Sequence, residues 1–518
     1  MAPGVSLQAV FRPAFLPLAI LHESCGSCLV RVLSCRHDAK SACGEVPFST
    51  KGSRGKACLV GSRTYGGISV LQHLLLLATL AVAVYWAGIV LLAAVAGIIV
   101  ISWAAHRFPI LAAFALLVVV LISQLSLMMN LLPEGWDVLP GGVRISDLIL
   151  VGMWGASVAT LFRRIDRSPE AKRLLAASAL LSALLLVAIL RNWTTYGLSA
   201  PGEFRFRYLI LGLPIFLAIH LTDEKMRESL ASLLSWSPVI GALAVLPIAV
   251  AKQGIQLSAS SRWYPASISL GLLLAATWLF VSSRVASRSV SQALRYLTLL
   301  FVAFIVLKDA HRSVWLVAAV ILLILMRLRV VEVGRLAPWL LVIVVSGAAI
   351  LSTVGLTVPQ LIAYITSRGS AFIRPTSDPT SYWRLVTWKS YLNVFMEHPW
   401  LGEGFGGYWD VYVPEFDARI TVMPHSLYVQ TLVKLGVTGM MALLAWFGAA
   451  ASALVAQIKR AASESTSARA LALMGLLGVA ASLTFGTAYS LDFWPLAWIG
   501  IGLAAVFSPE SEISPNER

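Results

Sequence analysis

Charge is in short supply in this sequence. Only 13% of its 518 residues are Asp, Glu, Lys or Arg, about half the share of an ordinary soluble domain. That scarcity argues against a string of water-soluble domains. Cysteine is scarce too: Cys25, Cys28, Cys35, Cys43 and Cys58 are all there are, crowded into the first 65 residues. Their spacing, with His37, fits no ordinary zinc-finger pattern. Residues 1–65 are therefore expected to be either a disordered basic tail or the product of a translation start assigned too early, and to hold no metal. No internal repeat is visible, and ionisable residues are rare deep within the apolar runs, which argues against the repeated plan of a secondary transporter. A net charge of +15 comes without any separate basic domain to form a groove, so nucleic acid is not an expected partner.

What remains is apolar: 58% of residues are hydrophobic and the mean hydropathy is +0.81. The apolar residues fall in runs near the roughly 20 residues that cross a bilayer as a helix. Spans are expected at 70–86, 88–104, 109–127, 146–162, 173–191, 206–221, 236–252, 264–282, 292–307, 313–329, 337–356, 426–457, 468–487 and 492–508. The fold class is thus an all-α polytopic membrane protein with about 12–14 transmembrane helices. With both termini in the cytoplasm, the inner connections carry seventeen basic residues, from Arg107 to Arg469, and the short outer ones eight. This is the bias that orients membrane helices. It divides the chain into a tail (1–65), a membrane domain (66–356), a large extracytoplasmic segment (357–425), a second membrane part (426–508) and a cytoplasmic end (509–518).

The stretch from Thr357 to Pro424 is 68 residues long, far beyond the usual helix–helix connection. Tyr382, Trp383, Leu385, Val386, Trp388, Tyr391, Leu392, Val394 and Phe395 predict an interfacial helix from about 380 to 397, ending before Pro399. Gly402, Gly404, Gly406 and Gly407 follow, where the backbone can turn sharply or approach a ligand. Three arginines fall on the outer side: Arg262, Arg312 and Arg384. Together they make either a cationic clamp suited to phosphate oxygens or separate side chains reaching lipid headgroups. His425 stands where the segment re-enters the membrane, and an imidazole is suited to proton transfer near neutrality. His311 and His398 compete for that role, and Lys308 and Asp309 either pair or orient the clamp. Trp400, Phe405, Tyr408, Trp409 and Tyr412 are either sugar-stacking surfaces or an aromatic belt.

Several strings stand in order along the chain: His311-Arg312-Ser313-Val314-Trp315-Leu316, Trp383-Arg384-Leu385 with Trp388, Glu397-His398-Pro399-Trp400-Leu401-Gly402-Glu403-Gly404-Phe405-Gly406, and Pro424-His425-Ser426-Leu427-Tyr428 leading to Lys434-Leu435-Gly436-Val437-Thr438-Gly439. Over roughly Arg262 to Gly439 this set resembles the O-antigen ligase and O-antigen polymerase family of bacterial envelope proteins. The chain departs from the family pattern at Ala310-His311 and at Glu403. The resemblance implies a multi-pass protein of the bacterial inner membrane, a metal-independent glycosyltransferase-type ligase or polymerase. It would take a saccharide from a polyprenyl-pyrophosphate carrier to an acceptor hydroxyl on the outer face, without a soluble cofactor. It assigns Arg312 and Arg384 to the donor pyrophosphate, Arg262 as a third contributor, and His425 as base or acceptor-orienting group. Trp383, Gly404, Gly406 and Tyr408 are expected substrate contacts. A transporter of the same lipid-linked glycan and a noncatalytic scaffold are the rival expectations.

Overall fold

The computed structural model describes residues 96–129, 137–138, 144–161, 168–197, 199–253, 262–285, 292–309, 311–331, a few helical positions between 359 and 370, 379–407, 410–413, 418–421, 424–461 and 466–507. All of these lie in one compact unit, Tyr85–Arg518. The tail at 1–65, the spans at 70–86 and 337–356, the start of the span at 88–104, Tyr408, Trp409 and the end at 509–518 lie outside the described residues.

The described chain is built of helices. Helical residues 96–107 precede α1 (Pro109–Met129), α2 (Ile145–Leu161), α3 (Pro169–Tyr196), α4 (Ser199–Arg207), a 3-10 turn (Leu209–Leu211), α5 (Gly212–His220), α6 (Glu224–Gln253), α7 (Ala266–Val285), α8 (Gln292–Asp309) and α9 (Arg312–Arg327). Then come α10 (Pro379–Glu397), strands β1 (Asp410–Val413) and β2 (Ala418–Thr421), α11 (Leu427–Arg460), α12 (Thr466–Phe485) and α13 (Phe493–Ala504). Five helices, α1, α3, α6, α11 and α12, are long and apolar enough to cross a bilayer; α2, Leu209–His220, α7 and α13 are shorter apolar helices.

Helix α3 shows how local sequence sets these elements. Ser168 caps it by accepting the Ala171 N–H, Pro169 occupies the first turn where no N–H is needed, and Glu170 meets the positive end of the helix dipole. One stripe, Ala171, Leu174, Leu181, Leu185, Ala188 and Asn192, is buried. The opposite face is equally apolar: Leu180, Leu186, Val187 and Leu190 are 49–60% exposed. A helix apolar all round needs lipid as its solvent. Elsewhere the helices meet through small residues, as where α12 and α13 cross. A Cβ on Gly502 would stand 2.8 Å from the Gly475 Cα, so side chains there would force the helices apart.

The expected span at 206–221 is not a single helix. Here α4 ends at Arg207, and the chain passes through the 3-10 turn before α5 begins at Gly212. Pro214 brings no N–H to extend a helix backwards, and the Trp154 indole N–H donates to the Leu209 carbonyl at 2.8 Å. The break is thereby satisfied by a side chain. The second departure is the short hairpin, in which Asp410 pairs with Thr421 and Val413 with Ala418. Its β-branched residues favour a pleated surface, but four residues are too few for alternation to be read from sequence.

Helix α10 occupies 379–397, matching the interfacial helix expected at 380–397. Its apolar residues Trp383, Val386, Trp388, Tyr391, Val394 and Phe395 pack with Val429 and Val433 of α11. At its end and just beyond, Met396, Trp400 and Leu401 are exposed, a placement suited to the headgroup boundary.

Candidate functional site

Asp309 joins the first two arginine segments. It is fully buried, and its carboxylate accepts the backbone N–H groups of Trp263 at 2.8 Å and Tyr264 at 3.1 Å and the Ser269 hydroxyl at 3.2 Å. His311 adds a second tie, donating its Nε2 proton to the Tyr264 carbonyl at 2.9 Å. The Lys308 ammonium lies 4.7 Å over the Trp263 ring. Burial pushes the Asp309 carboxyl up to about 6, against the opposing pull of the Trp263 N–H, Lys308 and its other donors. These contacts fasten Arg262-Trp263-Tyr264 to Asp309-Ala310-His311-Arg312, so two arginines 50 positions apart in sequence sit on one clasp.

The third arginine and the histidine meet on α10. Arg312, the first residue of α9, donates from Nη1 to the Ser381 hydroxyl at 3.1 Å. Two residues on, the Trp383 ring meets the His425 ring edge-to-face at 5.3 Å. Arg384 places its guanidinium 5.4 Å over the Tyr489 ring. Tyr489 is itself stacked on Phe485 at 4.5 Å, and its carbonyl accepts the Leu427 N–H at 2.9 Å. Leu427 opens α11 behind the N-cap Ser426 and next to His425. The contacts close a ring: α10 to Tyr489 through Arg384, Tyr489 to Leu427, Leu427 along the chain to His425, and His425 back to Trp383.

One donor on this ring and one on the Asp309 clasp are left unsatisfied. The Nε atoms of Arg384 and Arg262 are buried without a hydrogen-bond partner among the described residues, where buried polar atoms are ordinarily paired. His425 is exposed. The two competing histidines are used otherwise: His311 is buried and engaged with Tyr264, while His398 lies at the far end of α10, 3.1 Å from the Glu403 carboxylate. Fourteen residues of chain, mostly helical, separate His398 from Arg384, roughly 20 Å of rise.

The glycine-rich loop faces protein. Gly402, Gly404 and Gly406 all adopt positive φ, at 65°, 86° and 99°. A Cβ on Gly404 would meet Asn192 at 2.7 Å, and one on Gly406 would meet Tyr196 at 2.6 Å. The Asn192 side chain donates to the carbonyls of Glu403 and Phe405, and Arg191 donates to that of Gly402 at 2.8 Å. On the other side the loop lies in a break in α11, where Gly436 takes φ 68° and ψ −168°. Glu403 and Gly404 donate their N–H groups to the carbonyls of Val433 and Lys434 freed by that break. Beneath them Lys434 and Glu203 form an ion pair at 2.9 Å, each about 98% or more buried. The Glu203 carboxylate also accepts the Gly406 N–H at 2.7 Å, and Lys434 also donates to the Gly407 carbonyl. The close backbone approach read from these glycines is thus to α3, α4 and α11.

Sequence reasoning passed over Ser381, Tyr489, Glu203 and the pairing of Lys434. Ser381 and Tyr489 carry no signal beyond being polar or aromatic near span ends. Glu203 carries none either: its helix, Ser199–Arg207, has two arginines of its own, and the Lys434 that pairs with it is far away in sequence.

Residues 297–444 match the family model described as O-Antigen ligase. The match includes Arg312, Arg384, His425, the glycine loop and the Gly436 break, and leaves Arg262, Glu203 and Tyr489 outside it. No curated protein matches the chain.

Proposed function

We propose that this chain, which carries an O-antigen ligase family domain over residues 297–444, transfers a saccharide from a polyprenyl-pyrophosphate carrier to an acceptor hydroxyl on the outer face of the bacterial inner membrane. The observation that supports it most is the convergence of Arg312, Arg384 and His425 on the first two turns of α10. Arg312 and Arg384 bind the pyrophosphate, with Arg262 held beside them by the Asp309 clasp. The acceptor oxygen attacks the anomeric carbon as the bond from that carbon to the phosphate oxygen breaks. The electron pair leaves on the pyrophosphate, whose growing charge the guanidiniums balance. The hydroxyl proton passes to His425, which returns it to solvent.

In this reading residues 357–425 lie outside the membrane and both chain ends inside. Trp383 and Tyr408 border the sugar, while Gly404 and Gly406 contribute by docking the loop that fixes α10. The chemistry draws on side chains alone, without a soluble cofactor.

The test is complementation of a null strain with Arg312→Ala, Arg384→Ala and His425→Ala, beside mass analysis of products made by purified protein from the lipid-linked donor. Each variant should insert and accumulate normally yet leave no surface glycan. Normal transfer by both arginine variants would refute the assignment. A product in which glycan repeats are joined to one another would identify a polymerase, and movement of the intact carrier without a new glycosidic bond a transporter.

A further inference from the structure

A second cluster of polar side chains lies at the other end of the helices. His106, at the end of the helical residues 96–107, places Nδ1 3.2 Å from His220 Nε2. The Thr160 hydroxyl oxygen, near the end of α2, is 3.3 Å from each of those nitrogens. His106 is followed by Pro109 at the start of α1. At the far end of α1, Gln124 donates to Ser267, three residues from the Tyr264 that Asp309 holds. Fifteen residues of helix separate Pro109 from Gln124, roughly 22 Å, so this cluster sits across the membrane thickness from the arginines.

The hydrogen atoms in the cluster are largely committed elsewhere. Thr160 donates its hydroxyl proton to the Ala156 carbonyl at 2.9 Å, which turns the oxygen's lone pairs away from that carbonyl. His220 Nδ1 stands 3.1 Å from the Phe216 carbonyl, an atom that only accepts, so the proton of a neutral His220 ring is on Nδ1 and Nε2 carries a lone pair. The ring is held in that orientation by stacking on Phe216 at 4.5 Å. Three atoms that can each offer a lone pair therefore face one another: Thr160 Oγ1, His220 Nε2 and, with the proton of His106 on its Nε2, His106 Nδ1.

A triangle of three such atoms has the size and chemistry to hold a cation. Ligand atoms about 2.0–2.1 Å from a tetrahedral metal lie about 3.3 Å from one another, which is the edge length of this triangle. A ligating histidine ordinarily donates its other ring N–H to a carbonyl or carboxylate, as His220 does to Phe216. We propose that His106 Nδ1, His220 Nε2 and Thr160 Oγ1 form a three-point site for a divalent first-row transition-metal ion of the zinc type. Water or a solute anion completes the coordination. Imidazole nitrogen selects this class over magnesium or calcium. Among the described residues no three His, Cys, Asp or Glu side chains gather, so the hydroxyl is the third donor. The ion ties together the ends of three helices that are separate in sequence, and the site stands independently of the glycan reaction.

The test is titration of the purified full-length protein, free of any polyhistidine tag, with Co2+ as an optical probe and Zn2+ as competitor. The wild type should bind one Co2+ with nitrogen and oxygen ligation, displaced by Zn2+. His106→Ala and His220→Ala should each weaken it on the order of tenfold or more, and Thr160→Val by a smaller factor. His106 is exposed, so His106→Ala reads the site without opening the core. Unchanged affinity in His106→Ala, no Co2+ bound, or only the thiolate absorption of the Cys25–Cys58 region would overturn the proposal.

Discussion

The Lys434–Glu203 pair is where the structure makes its most quantitative claim. Lys434→Met leaves the Glu203 carboxylate about 1% exposed with one remaining donor, the Gly406 N–H. Glu203→Leu leaves the ammonium with the Gly407 carbonyl alone among these partners. Breaking a buried pair in this way costs about 3–5 kcal/mol. Removing both charges leaves one N–H and one C=O without these partners, about 1–3 kcal/mol each. The two single changes thus sum to roughly 6–10 kcal/mol, against roughly 2–6 for the double, a favourable coupling near 4 kcal/mol. Thermal denaturation of detergent-solubilised protein, followed by tryptophan fluorescence, measures this as melting shifts of several degrees. The double variant Glu203→Leu/Lys434→Met should melt close to its parents, about 4 kcal/mol short of the sum of their losses. A double variant that falls by the full sum of the singles, or single variants that melt with the wild type, would show that the pair does not hold the glycine loop.

Three further outcomes follow from the same contacts. Gly436→Ala forces a Cβ to within 2.2 Å of the Trp400 carbonyl oxygen in a backbone conformation reserved for glycine, costing about 1–3 kcal/mol for the backbone before the clash. Gly448→Ala, on the same helix with nothing within 4 Å, should gain up to about 1 kcal/mol; equal melting of the two would contradict the break at Gly436. Tyr489→Phe should keep transfer near wild type because the ring under Arg384 remains. Tyr489→Leu should raise the donor KM about three- to tenfold, the worth of a cation–π contact of about 0.5–1.5 kcal/mol, and matching kinetics in the two variants would dismiss that contact. The Asp309 carboxyl, raised to about 6, holds its proton more tightly in the folded chain than in the unfolded one. Its contribution to stability is therefore full below about 4 and lost as pH rises through about 6. Melting of the wild type relative to Asp309→Asn should accordingly fall between pH 5 and pH 7, and a flat difference would show that Asp309 does not titrate there.

The helical plan was legible because lipid imposes a simple rule on sequence. A crossing helix needs a long apolar run, and α1, α3, α11 and α12 fall where such runs predict them. Helix α10 was legible from its own periodicity and from Pro399. The break at 206–221 was not, because hydropathy measures the solvent and not the path of the backbone; the Trp154 indole that satisfies Leu209 is 55 positions away. The arginines and His425 could be singled out by type and position, yet their meeting depends on Ser381, Asp309 and Tyr489, which hydropathy does not mark. The glycines were legible as places where the backbone turns sharply, but not for which surface approaches them. Glycine's permissiveness is the same whether the approaching surface is a ligand or another helix, and here Asn192, Tyr196 and Trp400 stand at these glycines.

That distinction assigns the two ends of α10 different work. At its C-terminal end the glycine loop enters the break in α11 and is held by Asn192, Arg191 and the Lys434–Glu203 pair. At its N-terminal end Ser381, Trp383 and Arg384 meet Arg312, His425 and Tyr489 beside an exposed imidazole. Geometry at a reacting centre has to be held to fractions of an ångström, but a site that admits a lipid-linked substrate must also remain open. For the proposed transfer, fixing the helix at one end and holding Arg312, Arg384 and His425 at the other would satisfy both demands. It follows that damage to the glycine loop should lower transfer even though the loop touches neither arginine. That loss should appear in Glu203→Leu at temperatures where the protein is still folded, whereas Gly448→Ala, on the same α11 but outside the lock, should leave transfer unchanged.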